Sequence, residues 1–97
     1  MLPLIVRADA EADIEEAFRW YEEQSPGLGA EFVRAVDAAL SGIERDPELH
    51  AETFKRARRV LLRRFPYAIY FVAHPQSIDV LACMHTRRHP RRWRRRV

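Results

Sequence analysis

The sequence predicts an α+β fold in the order β-α-α-β-β-β, a small antiparallel sheet packed by an N-terminal helical hairpin. Three observations carry that expectation. Residues 9–46 hold two apolar stripes at helical spacing, separated by "SPGLG" (25–29). After residue 50 the period shortens to that of strands, and the runs become rich in β-branched and aromatic residues. Helices grouped together and strands grouped together argue against an alternating, doubly wound sheet.

"LPLIVRA" (2–8) is short and aliphatic and fits a first strand. Asp9 stands where a helix N-cap belongs, and the acidic turns of "AEADIEEAFRWYEEQ" complement the positive end of a helix dipole. Ile14, Ala17, Phe18 and Tyr21 form its apolar stripe. Pro26 and two glycines then break the helix. A second helix follows in "AEFVRAVDAALSGIERD", with Phe32, Val36, Leu40 and Ile43 on one face and Pro47 as its stop. "RRVLLRRF" (58–65), "YAIYFVA" (67–73) and "SIDVLACMH" (77–85) have strand length and composition. Strict alternation puts Tyr67, Ile69 and Phe71 opposite Ala68, Tyr70 and Val72, and Ile78, Val80, Ala82 and Met84 opposite Asp79, Leu81 and Cys83. "AHPQS" (73–77) suits the turn between the last two strands.

A chain of 97 residues, 47% hydrophobic and 32% charged, has material for one modest core, so residues 1–97 are expected to form a single domain. Cys83 is the only cysteine, which excludes an intrachain disulfide. The N-terminus lacks a basic n-region and a small-residue cleavage site. No stretch approaches the roughly 18 apolar residues of a membrane span. The expectation is a cytoplasmic protein that does not engage a membrane.

The net charge of +3 conceals a strong asymmetry: residues 1–53 carry a net −9 and residues 54–97 a net +12. All but one of the 17 cations are arginines, whose planar forks bind phosphate or carboxylate bidentately. The basic half therefore suits a polyanion or an acidic protein segment. In "FKRARRVLLRR", Arg59 and Arg63 would share one strand face and Arg58 and Arg64 the other. No zinc-finger or RNA-recognition spacing accompanies the arginines. His85 and His89 stand four apart, but Pro90 breaks any helix there and neither cysteine nor carboxylate joins them, so no metal site is expected. Trp20, just off the apolar stripe of its helix, is a candidate partner-facing anchor. Trp93 suits either that role or packing of the chain end onto the sheet.

Three segments, "ADIEEAFRWYEEQSPGLGAEFVRAVDAALSGI" (12–43), "RRVLLRRFPYAIYF" (58–71) and "IDVLACMHTRRHPRRW" (78–93), resemble the RelE/ParE superfamily of toxins from bacterial type II toxin–antitoxin systems. The likeness runs nearly end to end and is closer to ParE. It implies a growth-arresting toxin of a plasmid-stabilisation type, without a cofactor, held in a hetero-oligomer by a cognate antitoxin. That antitoxin would be ParD-like, with a ribbon-helix-helix segment that reads operator DNA and an acidic amphipathic tail. The surface expected to meet partners is Trp20, Arg58, Arg59, Arg63, Arg64, Arg87, Arg88 and Trp93.

The superfamily divides by target, and the resemblance implies two alternatives. ParE-like members inhibit DNA gyrase and are not known as catalysts. RelE-like members are ribosome-dependent messenger-RNA endoribonucleases, and carried onto this chain their charge-stabilising groups would be Lys55, Arg56, Arg63 and Arg87, with His85 as a substitute base. Such ribonucleases use a C-terminal tyrosine; here Trp93 occupies that place, and indole is no proton donor for this chemistry. Lys55 is the sole lysine, and arginine, permanently protonated, is a poor base. The residues therefore favour the gyrase inhibitor. A third alternative is a toxin that survives only as part of a repressor complex.

Overall fold

The computed structural model describes all residues 1–97. Strand β1 is Leu4–Val6, and helices α1 (Ala8–Gln24) and α2 (Leu28–Arg45) form the expected hairpin. A 3₁₀ turn, Pro47–Leu49, leads into β2 (Glu52–Phe54), β3 (Ala57–Leu61), β4 (Tyr67–Ala73) and β5 (Ile78–His85). A one-turn helix, α3 (Arg91–Arg94), follows. The five strands form one sheet in the order β1-β5-β4-β3-β2. All neighbours are antiparallel except β1, which lies parallel to β5.

The hairpin closes tightly for local reasons. The Glu22 carboxylate accepts hydrogen bonds from the backbone N–H groups of Gly27 and Gly29, which the start of α2 would otherwise leave without partners. Gly27 turns the chain at φ 90°, in the left-handed region that glycine enters at least cost. A side chain at Gly29 would place its Cβ 2.8 Å from Phe18 Cδ1, so the helices approach closely because that position has none.

Two cores result, one on each sheet face. Phe32, Val36 and Ile43 of α2 and Ala17 and Tyr21 of α1 pack on Ile69, Phe71, Ile78 and Val80. Tyr21, Phe32 and Phe65 meet there with ring centroids 4.9–5.4 Å apart. The opposite face is covered by the chain end. Trp93 stacks on Tyr70 at 4.1 Å and closes over Ala57, Ala68, Leu81 and Met84.

Four local expectations are corrected. The N-cap of α1 is Arg7, whose side chain makes no capping bond, and Asp9 lies inside the first turn. Strand β3 stops at Leu61, so Arg63 and Arg64 sit in the turn beyond it, with Arg64 at φ 67°. The three-residue strand β2 adds an edge that no alternating run in "ETF" had announced. Strand β5 does not alternate strictly. Tyr70 pairs with Ala82 but Phe71 with Val80, so Leu81 is an extra residue that forms a β-bulge. The bulge shifts the phase: Cys83 joins Ile78 and Val80 beneath the helices, while Ala82 and Met84 join Leu81 on the Trp93 side.

Candidate functional site

The bulge lies beyond the end of β1 and presents backbone groups that no strand takes up. Asp13 of α1 accepts a hydrogen bond from Cys83 N–H at 3.0 Å. Arg96 donates to the Leu81 carbonyl at 3.1 Å and to Asp13 Oδ2 at 2.7 Å. Asp13 and Arg96 have side chains 17% and 18% exposed, so this bond is shielded far more than a surface ion pair. It ties helix, strand and chain end together.

Cys83 lies beneath this network. Burial, and after it the Asp13 charge, push its thiol up to about 12. A thiol whose pKa is raised in the folded chain is favoured as its neutral form. That contribution is complete below the unfolded value of 9.0 and is lost as pH rises towards about 12. Accordingly, a thiol-alkylating reagent at pH 8 should leave Cys83 unmodified in the folded chain and label it rapidly in denaturant, as mass spectrometry would read.

The residues proposed from sequence divide between the two ends of the sheet. At the end where β4 starts and β5 finishes, an open groove of about 800 Å³ is lined by Trp20, Tyr67, His85 and Arg88, among others. Trp20 is 55% exposed and meets Tyr21 edge-on at 5.1 Å. Arg88 reaches Glu16 at 3.6 Å in a pair open to solvent. His85 Nδ1 accepts the Arg87 backbone N–H at 3.0 Å, which leaves the proton of the neutral ring on Nε2. Burial raises the Tyr67 pKa, so its phenol stays neutral across the physiological range. Arg63 is at this end too, beside an apolar groove formed with Ala35, Ala39, His50 and Leu61. Arg64 pairs with Glu31 at 3.4 Å.

Lys55 and Arg56 occupy the other end, at the tip of the β2–β3 hairpin. The seven residues of β4 separate the ends by about 20 Å. Lys55 and Arg56 therefore do not converge with Arg63, His85 and Arg87 on one phosphodiester. Two other expected contacts are internal. Arg58, its side chain 18% exposed, donates to the His50 carbonyl and pairs with Glu52 at 3.5 Å. Trp93 is 4% exposed, so its ring is a core element and no free anchor. Arg59 and Arg87 are exposed and in no ion pair. The Asp13–Arg96 bond escaped sequence reasoning altogether, because the two residues lie 83 positions apart.

A fold of this kind is found in the chromosomal ParDE toxin–antitoxin system from P. aeruginosa. A chain of that structure superposes with a TM-score of 0.78 at 18% identity, covering 88% of this chain and 96% of that one. A search of curated proteins finds no match. The family model described as "ParE toxin of type II toxin-antitoxin system, parDE" matches residues 4–90, from the first strand to the threshold of α3. With nearly the whole domain matched and its architecture shared, the chain belongs to the ParE toxin family of type II toxin–antitoxin systems.

Proposed function

We propose that this toxin arrests growth by inhibiting DNA gyrase in the cytoplasm, and that a cognate ParD-like antitoxin neutralises it in a hetero-oligomer. Membership in the family supports this reading. The observation that favours it over messenger-RNA cleavage is the placement of Lys55 and Arg56 at the opposite end of the sheet from Arg63, His85 and Arg87. General acid–base cleavage needs such groups within hydrogen-bond reach of one phosphate. The C-terminal aromatic that would have to protonate a leaving group is a tryptophan, stacked into the second core.

Expression of the chain alone tests the target. The expected result is growth arrest with trapped gyrase–DNA cleavage complexes, reversed by co-expressed antitoxin. Rapid messenger-RNA cleavage within translated codons, without such complexes, would establish the ribonuclease reading instead.

The antitoxin tail fits the groove beside Trp20. An amphipathic segment can lay apolar side chains on Trp20 and Tyr67 and direct a carboxylate towards Arg88 in the same groove, with the exposed Arg87 next to it in the chain. Operator sequence would be read through the antitoxin's ribbon-helix-helix segment. Trp20→Ala should weaken antitoxin binding by about 2 kcal/mol, roughly 30-fold in Kd. Because Trp20 stands half out of the fold, the same change should leave thermal stability within about 0.5 kcal/mol. Calorimetric titration with the antitoxin, alongside a melt of the free toxin, measures both.

A further inference from the structure

The end of the sheet remote from Trp20 carries a second charged feature. The β2–β3 turn, the β4–β5 turn and the residues after α3 enclose a cleft of about 230 Å³, in which Arg7, Lys55, Arg56, His74 and Arg96 stand beside the apolar Val72, Leu81 and Val97. Through Arg7 and Arg96 it runs into a neighbouring hollow of about 400 Å³ that adds Arg95 and Asp9. Some of this charge is already used. Arg7 bonds Asp79 at 2.8 Å, His74 reaches the same carboxylate at 3.4 Å, and Arg96 is held by Asp13. Lys55, Arg56 and Arg95 are in no ion pair. Lys55 and Arg56 line the cleft and Arg95 the adjoining hollow.

Lys55 is also held in an unfavourable backbone conformation. Its φ is 53°, at the first position of a two-residue hairpin turn. Glycine occupies such a position freely, whereas a residue with a Cβ costs on the order of 1 kcal/mol. The ammonium lies 5.4 Å from the Phe54 ring centroid, and the Arg94 guanidinium lies 4.7 Å from the same ring. The aromatic thus gathers two cations beside the β2–β3 turn.

We propose that this cleft binds the phosphodiester backbone of duplex DNA, without reading its bases. Free arginine forks and an ammonium are the groups that phosphate oxygens take. Single strands gain affinity mainly by stacking bases on exposed aromatic rings. Here Trp93 and Tyr70 are stacked on each other and 4% and 5% exposed, and Phe54 carries cations. The duplex, with one charge per roughly 1.7 Å, then presents the densest anion. An acidic peptide is the rival occupant, because Val72, Leu81 and Val97 also line the cleft, and it is therefore one arm of the test. The inference reaches beyond the gyrase reading and does not depend on it, because the grip belongs to the toxin itself.

The test is fluorescence anisotropy with a labelled duplex of about 20 base pairs and arbitrary sequence, using the whole toxin without gyrase or antitoxin, across a salt series. Three phosphate contacts predict a slope of log K against log salt of about −3, alike for unrelated sequences. Lys55→Gly removes one cation and relieves the positive φ. It should lower affinity roughly fivefold and the slope by about one, while the melting temperature holds or rises. Arg56→Ala and Arg95→Ala should each act similarly on binding, and Arg63→Ala at the far end should not. The proposal is overturned if all three substitutions leave duplex affinity unchanged. Tighter binding to single-stranded DNA, an RNA duplex or an acidic peptide of equal charge would overturn it as well. Because gyrase is absent, failure here is distinguishable from failure of the trapped-complex experiment.

Discussion

Replacing Trp93 by alanine is expected to destabilise the fold by about 3–5 kcal/mol, the usual range for removing a buried large aromatic. The ring stacks on Tyr70 at 4.1 Å and 15° and meets Phe54 edge-on at 5.9 Å. Without it the second core loses its lid, and Ala57, Ala68, Leu81 and Met84 face water. Small domains have only about 5–15 kcal/mol to lose, so this loss takes a large share of the total. Trp93→Phe keeps an aromatic on Tyr70 and should recover most of the loss. Urea unfolding followed by far-ultraviolet circular dichroism measures both variants. A change below about 1 kcal/mol for alanine would mean that the chain end contributes little to the sheet.

Asp13→Ala should cost about 2–3 kcal/mol, through a different mechanism. The carboxylate serves the Cys83 N–H and the Arg96 guanidinium together, so its removal strands a backbone donor and a shielded cation at once. Asn retains an acceptor and should lose less. A double-mutant cycle of Asp13→Ala with Arg96→Met should reveal a coupling of about 1–3 kcal/mol, since both residues serve the same bulge. The variant has a chemical signature too. Removing the negative charge beside Cys83 withdraws the second cause of its raised pKa, so alkylation of the thiol should begin at lower pH than in the parent chain. Unaltered stability and alkylation would show that the network is dispensable.

How much of this was legible in the sequence depends on the range over which each feature is determined. The helical hairpin followed from the spacing of Phe32, Val36 and Ile43, because a stripe at that period has one way to be buried. The β4 faces followed from alternation in "YAIYFVA" for the same reason. Leu81 broke the pattern: a bulge is an agreement between two strands, and nothing in "IDVLACMH" alone marks it. The cap at Arg7 was missed because the helix begins where β1 delivers the chain, ahead of the polar residue that would suit the position. Within the site, Trp20 was recognisable as a misfit to its stripe, and it is exposed. The chemistry of the arginines was plain, but their positions were not. Arg58 turned inward to the His50 carbonyl, and Arg63 fell beyond the end of its strand. The positive φ of Lys55 is invisible in a turn that contains no glycine.

The parallel pairing of β1 with β5 sets the order in which this toxin can become itself. Leu4 must wait for Ile78, and Asp13 for Arg96, so the first strand and the start of α1 lack these partners until β5 and α3 have been made. Contacts so remote along the chain are slow to close and yield nothing when only partly formed. A nascent chain stopped before β5 holds two helices and an unfinished sheet, with the first strand unpaired. The toxin fold does not exist piecemeal, because its oldest strand is seated only by one of its youngest.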